Sequence, residues 1–165
     1  MLFSRYSGRV SGRLQLILLL MPAALLLTGC GDEQSPEDRI REMLSAAETA
    51  AEERSLMDFQ DFVAEDYKDE KGRIKSQVMR VAAGYFLRNK SIHILTQVGN
   101  IDLLDENRAR VELFVGMTGQ PAADVEQLFS FRADLHRFDL QLEERDGRWE
   151  VVSAGWRRAN KTDFY

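Results

Sequence analysis

An apolar run that stops three residues before the chain's only cysteine constrains this sequence most. Leu16–Leu27 is followed by Thr28-Gly29 and then Cys30, and no acidic residue precedes this cysteine. The run itself is preceded by three basic residues, Arg5, Arg9 and Arg13. A positively charged start, an apolar run of about 12 residues and small residues at its end are the pattern of a secretory leader. The run is too short for a good spanning helix, which needs about 20 apolar residues. The folded domain must therefore come from the residues that follow.

The last four residues of this segment, Leu27-Thr28-Gly29-Cys30, resemble the lipobox of bacterial lipoproteins. The resemblance covers residues 1–30. It implies that residues 1–29 are removed as a signal peptide and that Cys30 carries a diacylglycerol in thioether linkage, usually with a further acyl chain on its amino group. The alternative is an ordinary signal peptide, or an uncleaved anchor, with an incidental cysteine. Since Cys30 is the only cysteine, no intramolecular disulfide can form. We expect Cys30 to hold the protein to a membrane through its acyl chains.

A short polar tether, residues 30–35, joins this anchor to the rest of the chain. At about 3.3–3.6 Å per extended residue, it reaches only about 15–20 Å. In the lipoproteins that the sequence resembles, an Asp directly after the lipidated cysteine favours retention in the inner membrane, and Gly31 stands there instead. We therefore predict a cell-envelope location, attached to the outer membrane and facing the periplasm where the source has two membranes.

The charge of the chain is concentrated after the leader. Residues 30–165 contain 19 of the 22 Lys and Arg residues and all 27 Asp and Glu residues, which gives a formal charge of −8. Nucleic-acid binding requires a basic surface, so we predict no nucleic-acid partner. The size of this part suits one hydrophobic core. We expect a single domain over residues 36–160 and a tail at 161–165.

Three helices are predicted in the first half of this domain. Ser35 followed by Pro36 is typical of a helix start, and apolar residues continue at helical spacing to about Arg54. Ser55 is a candidate cap for a second, shorter helix. A turn or short hairpin is expected over residues 66–72, and a third helix over residues 73–88. The predicted inward residues of the third helix are Ile74, Val78, Val81, Ala82, Tyr85 and Phe86.

The second half has the two-residue period of β-strands. A first strand with an irregularity between Val98 and Ile101 is followed by clean alternation over residues 109–117. Residues 129–135 and then residues 138–142 alternate in opposite phases, which predicts a bulge near His136-Arg137. Asp146-Gly147 is a hairpin turn that leads into the last strand.

These patterns predict an α+β fold in which three N-terminal helices pack on a bent, mainly antiparallel four-stranded sheet. The order of elements and the long strands over residues 36–160 resemble the nuclear transport factor 2-like, or cystatin-like cone, superfamily. The resemblance implies a cone in which sheet and helices enclose a pocket. Relatives in this superfamily include isomerase-like and dehydratase-like enzymes and many non-catalytic binding or assembly domains. The fold alone therefore does not choose a function.

Four residues are candidates for the lining of such a pocket: Tyr85, Asp134, His136 and Trp156. Asp134 and His136 share a strand face and could act as an acid–base pair. Alternation places both opposite Phe131 and Leu135, however, which favours a solvated outer face with cross-strand ion pairs. Tyr67, Tyr85 and Trp156 could line a cavity and grip a ligand, or they could simply fill the core.

The sequence shows no catalytic set. Its two histidines are isolated, and it has neither a metal-ligand spacing nor a glycine-rich phosphate loop. We therefore predict no metal, no cofactor and no catalytic residue, and a lipid-anchored periplasmic domain that binds a partner protein or a small apolar ligand. The first alternative is a cofactor-free isomerase, dehydratase or hydrolase. The second is a structural accessory of an envelope assembly, in which the strand over residues 109–117 pairs with a second copy as a homodimer or packs on its own helices.

Overall fold

The computed structural model describes residues 34–131 and 133–164, so the predicted leader and Cys30 lie outside the described residues. Within this part, three helices precede the sheet in the chain and a fourth interrupts its strands. The elements are α1 (Pro36–Glu52), α2 (Leu56–Gln60), α3 (Lys75–Arg88), β1 (His93–Asp105), β2 (Arg108–Thr118), α4 (Val125–Ser130), β3 (Asp134–Arg145) and β4 (Arg148–Arg158), followed by a 3₁₀-helix (Lys161–Phe164). The predicted α+β class is confirmed.

The four strands form one antiparallel sheet in the order β1-β2-β3-β4. Its inner face carries the core, which includes Val111, Leu142 and Trp149 from the strands together with Ile40 from α1. Ile40 and Val111 are fully buried. Residues 34–164 thus lie in one unit that has its own hydrophobic core. Among the described residues, no helix combines the length and hydropathy needed to cross a membrane.

Side-chain caps begin the first two helices, as predicted. The Ser35 hydroxyl accepts a hydrogen bond from the Asp38 backbone N–H at 3.1 Å, and Pro36 occupies the first turn. Ser55 accepts in the same way from the Asp58 N–H. The third helix starts at Lys75 rather than at residue 73. Ile74 and Val81, which were expected inside, are 51% and 55% exposed. Ile74 is the residue before the first turn, and it pairs with Lys68 in an isolated bridge.

Three register shifts interrupt the pairing of the strands in the described residues. Two lie in β1, between Val98 and Asn100, which confirms the predicted irregularity, and between Leu103 and Asp105. The third lies between Gln141 and Leu142, where β3 meets β4. The bulge predicted at His136-Arg137 is wrong, because the pairing of β2 with β3 runs without a shift from Met117–Asp134 to Arg108–Glu143. An extra residue in one strand increases its local twist, so these shifts curve the sheet over the helices.

The fourth helix, α4, explains the wrong bulge. Phe129 and Phe131 were expected in a strand, but residues 125–130 are helical, and Asp124 caps them by accepting the Gln127 N–H at 2.8 Å. The third strand starts only at Asp134. The apparent change of phase in the sequence is therefore the passage from a helix to a strand, which needs no extra residue. Leu128 of α4 is fully buried and packs on Gly116 of β2. This contact holds α4 against the outer face of the sheet.

A tight turn at residues 66–72 connects α2 to α3, as predicted. The Asp69 side chain is buried and accepts hydrogen bonds from the backbone N–H groups of Lys71 and Arg73, at 2.9 and 2.8 Å. The Arg73 guanidinium lies 2.6 Å from the same carboxylate. Gly72 has a φ of +74°, which a side chain would strain. Burial alone would raise the pKa of Asp69, but the bonds from Arg73 and Lys71 outweigh it and lower that pKa.

Candidate functional site

A cavity of about 370 Å³ lies between the inner face of the sheet and helices α1–α3. This volume falls at the lower end of the range of small-molecule pockets, about 300–1,000 Å³. Every helix of the first half and every strand contributes apolar side chains to it. They include Met43, Leu44, Phe59, Phe62, Val78, Phe86, Ile94, Leu113, Met117, Phe138, Leu140 and Trp156.

A few polar side chains face this apolar space, and two of them lie in one row across the sheet. Thr96 of β1 pairs with Val115 of β2, which pairs with His136 of β3. Paired residues on neighbouring strands are about 4.5–5.5 Å apart at Cα, so Thr96 and His136 are separated by about 10 Å. Glu48 of α1 lies over this row and accepts a hydrogen bond from the Thr96 hydroxyl. Thr96, His136 and Glu48 thus lie in or over the same cross-strand row of the cavity.

The Glu48 carboxyl is half-buried, and its environment disfavours the charged form. Burial raises its pKa, the Thr96 hydrogen bond opposes this effect, and the charge of Glu52 adds to it. Glu52, one turn further along α1, accepts the backbone N–H of Ile94 at 2.7 Å. The two carboxyls therefore hold the start of edge strand β1 against α1.

His136 lies on the inner face of the sheet, not on the solvated face that alternation favoured. Its ring is half-buried and lies 6.1 Å from that of Phe138, measured between centroids. Burial lowers its pKa more than the charge of Asp134 raises it. The imidazole is therefore neutral at pH 7. Its Nδ1 is shielded from solvent and forms no well-directed hydrogen bond within the described part of the chain.

Tyr85 and Trp156 also line the cavity. Burial, with the charge of Asp134, raises the pKa of the Tyr85 hydroxyl, so it stays protonated. Trp156 packs on Phe138 with 6.1 Å between ring centroids. The Arg73 guanidinium lies over this indole, 3.8 Å from the ring centroid, which is within the range of a cation–π contact. Trp156 thus joins the cavity to the turn at residues 66–72.

Asp134 is placed differently from the other three candidates. It is not among the cavity-lining residues, and its side chain is 52% exposed and pairs with Arg158 at 3.4 Å. The structure therefore gathers Tyr85, His136 and Trp156 around the cavity and leaves Asp134 at its rim. An acid–base pair of Asp134 and His136 inside the cavity is not formed.

Sequence reasoning missed two polar residues of the lining, Glu48 and Thr96. Glu48 follows Leu44 by four residues and precedes Ala51 by three, so helical spacing alone places it on the apolar face of α1. That spacing was the available signal. Tyr67, which was expected as a lining residue, does line the cavity, from the turn at residues 66–72. It is only 2% exposed, and burial raises the pKa of its hydroxyl.

The outer face of the sheet is charged rather than apolar. Arg137 pairs with Glu112 at 2.8 Å and with Asp139 at 3.1 Å. Arg157 pairs with Asp163 of the 3₁₀-helix at 2.6 Å. Helix α4 covers part of the same face. Across residues 34–131 and 133–164, no group of three or more His, Cys, Asp or Glu side chains is placed to hold a metal ion.

These features define a class of protein: an α+β cone with an apolar internal cavity and a few polar lining residues. Solved structures with this fold include an NTF-2-like protein of unknown function from Shewanella oneidensis, at 14% identity and a TM-score of 0.56 over 74% of this chain and 98% of that one. A candidate scytalone dehydratase from Novosphingobium aromaticivorans is similar at 13% identity and a TM-score of 0.60, over 74% of this chain and 83% of that one. The fold is therefore that of NTF2-like proteins.

Bd1075 of Bdellovibrio bacteriovorus has the same fold at 10% identity, with a TM-score of 0.59 over 74% of this chain. The match spans only 40% of the Bdellovibrio protein. No protein-family model and no curated protein sequence matches this chain. At such low identities the comparisons establish the fold and leave the function to be argued from the cavity.

Proposed function

We propose that this protein is a lipid-anchored envelope protein whose cone binds a small apolar ligand without catalysis. The observation that carries the proposal is the cavity of about 370 Å³ with its almost entirely apolar lining. Removing apolar ligand surface from water contributes about 25 cal/mol per Å², so such a space favours an apolar occupant. A tether that keeps the domain within about 20 Å of a membrane would raise the local concentration of ligands that partition there.

The enzyme alternative has less support. Its acid–base candidates do not meet, because Asp134 pairs with Arg158 at the rim while His136 lies inside. The assembly alternative was expected to use an apolar sheet face, whereas the outer face carries the Arg137 ion pairs and is partly covered by α4. Ligand binding by the cavity is therefore the function we advance.

The cavity is tested with N-phenyl-1-naphthylamine, an uncharged dye that fluoresces strongly in apolar surroundings, added to residues 31–165. Ala47 lines the cavity and its neighbour Ala46 is exposed on the same helix, so the two positions form a matched pair. Ala47→Phe should fill part of the space and lower dye affinity at least tenfold, while Ala46→Phe should leave it unchanged. Circular dichroism checks that both variants fold. An absence of fluorescence enhancement in the parent, or an equal loss in both variants, would contradict ligand binding.

The anchor is tested separately in cells. Cys30→Ser should release the protein from the membrane fraction, and the mature wild-type protein should carry the mass of acyl chains on its first residue. Separation of inner and outer membranes then tests the predicted location. Membrane attachment that persists in the variant, or a free Cys30 thiol joined to an intact leader, would refute lipidation.

A further inference from the structure

We infer that the cavity binds a single-chain amphiphile whose head is a protonated amine, placed at Glu48 and His136. The inference rests on the proposed function and specifies the chemistry of its ligand.

The polar side chains Thr96 and His136, which the sheet contributes to the cavity, lie in one cross-strand row. Glu48 lies directly over this polar row. The neighbouring row contains Leu113, paired with Phe138, and the next contains Leu140, paired with Val111. On the other side of the polar row, Ile94 pairs with Met117, and both line the cavity. Most of the lining is therefore apolar, and a ligand that matches both the polar row and the apolar rows has an apolar chain and a polar head.

The charges around the polar row favour a cationic head. Glu48 lines the cavity, and the charge of Glu52 acts on it. Three positive groups lie around the cavity, and none belongs to its lining. Arg158 is 84% exposed and pairs with Asp134, and Arg88 is exposed at the end of α3. Arg73 lies over Trp156 and pairs with Asp69. His136 is neutral at pH 7 because burial lowers its pKa. A carboxylate or phosphate head would meet Glu48, and no Lys or Arg of the described residues lines the cavity to balance it.

The hydrogen-bonding groups left at the polar row suit a donor. One oxygen of Glu48 accepts from Thr96, and the other is available to a ligand. Nδ1 of His136 is shielded from solvent without a well-directed bond and accepts when the proton is on Nε2. The Tyr85 oxygen on α3 also lines the space. An ammonium group donates three hydrogen bonds and accepts none, so it matches these acceptors.

The size of the cavity limits the apolar chain. A methylene group is similar in size to a water molecule, whose share of liquid volume is roughly 30 Å³. A volume of about 370 Å³ therefore holds about a dozen such groups. A single chain of roughly twelve carbons fills it.

The test compares three probes that share a twelve-carbon chain: dodecylamine, 1-dodecanol and dodecanoate. Each displaces N-phenyl-1-naphthylamine from residues 31–165 at pH 7, below its micelle concentration. Dodecylamine should bind at least tenfold more tightly than dodecanoate, with dodecanol between them. Glu48→Gln should lower the amine affinity about tenfold and the alcohol affinity much less. Glu42→Gln, an exposed change on the same helix, should alter neither.

The outcomes separate this inference from the proposed function. Dye binding that dodecanoate displaces as well as dodecylamine, or an amine preference that survives Glu48→Gln, would overturn the inference and leave an apolar binding cavity. An absence of dye binding in the parent would overturn both. The expected order of affinities, lost in Glu48→Gln and kept in Glu42→Gln, would establish the cationic head.

Discussion

Glu48 shows how one residue connects the sequence to the site. A carboxyl on the apolar face of a helix loses hydration when the helix packs, and here burial raises its pKa while Thr96 supplies only one hydrogen bond. Such a residue weakens folding at neutral pH, so its presence calls for a functional reason. Its position over the polar row of an apolar cavity offers that reason.

The pH dependence of stability tests this interpretation. Because the pKa of Glu48 is raised in the folded state, its stabilising contribution is complete below the unfolded pKa and is lost as pH rises through the folded pKa. Glu48→Gln does not titrate, so its stability relative to the parent should increase from pH 4 to pH 7 in urea unfolding. Glu42→Gln, an exposed change on the same helix, is the matched control. A difference in stability between Glu48→Gln and the parent that does not vary with pH would count against a raised pKa of Glu48.

The pKa of Asp69 is shifted in the opposite direction to that of Glu48. The bonds from Arg73 and Lys71 outweigh burial and lower its pKa, so its contribution is present above the unfolded pKa and is lost as pH falls through the folded one. Asp69→Asn should therefore destabilise the protein at pH 7 and approach the parent in stability near pH 2. Thermal unfolding monitored by circular dichroism between pH 2 and pH 7 measures this. A difference in stability between Asp69→Asn and the parent that grows as pH falls would show that the Asp69 carboxylate does not stabilise the turn.

Among the elements, those with strong local signals were predictable and α4 was not. Ser35 with Pro36, and the alternation over residues 109–117, specify their structures locally. Helix α4 is only six residues long, and apolar residues at every second position from Phe129 to Leu135 imitate a strand across its end. Its fold depends on the tertiary contact of Leu128 with Gly116. Because α4 was not predicted, Phe129 and Phe131 were used to set the alternation of the third strand. That alternation placed His136 on the wrong face of the sheet.

Adding a side chain at Gly116 tests the packing of α4 on the sheet. An added Cβ there would lie 2.9 Å from Leu128 Cδ2 and closer still to Cδ1. Gly116→Ala should therefore cost about 1–3 kcal/mol by overpacking. Gly119→Ala, where nothing lies within 4 Å of the new atom, should cost little. Leu128→Ala should relieve the clash, so that the two changes combine to less than the sum of their separate effects in urea unfolding. If the losses of stability are additive, Leu128 does not pack against Gly116.

At the scale of the whole molecule, the cavity was the least predictable feature. The apolar residues that line it follow the same periodicities as a filled core, and only their arrangement in space leaves about 370 Å³ between helices and sheet. The register shifts at Val98 and Gln141 curve the sheet and help to create that space. Sequence patterns predicted the enclosing elements but not the volume between them. An unfilled apolar interior lacks the packing contacts that a close-packed core provides, so an occupant should stabilise the whole fold.

Ligand-linked stability follows from this arrangement. A molecule that binds only the folded state at a hundred times its dissociation constant adds about 2.7 kcal/mol, which raises the melting temperature of a domain of this size by roughly 5–15 °C. Dodecylamine at that concentration should produce such a shift in residues 31–165, and the shift should shrink in Ala47→Phe because the side chain already fills part of the cavity. Ala47→Phe without ligand should also melt no lower than Ala46→Phe, since it adds apolar contacts to unfilled space. A ligand-induced shift of equal size in both variants would place the binding site elsewhere on the domain.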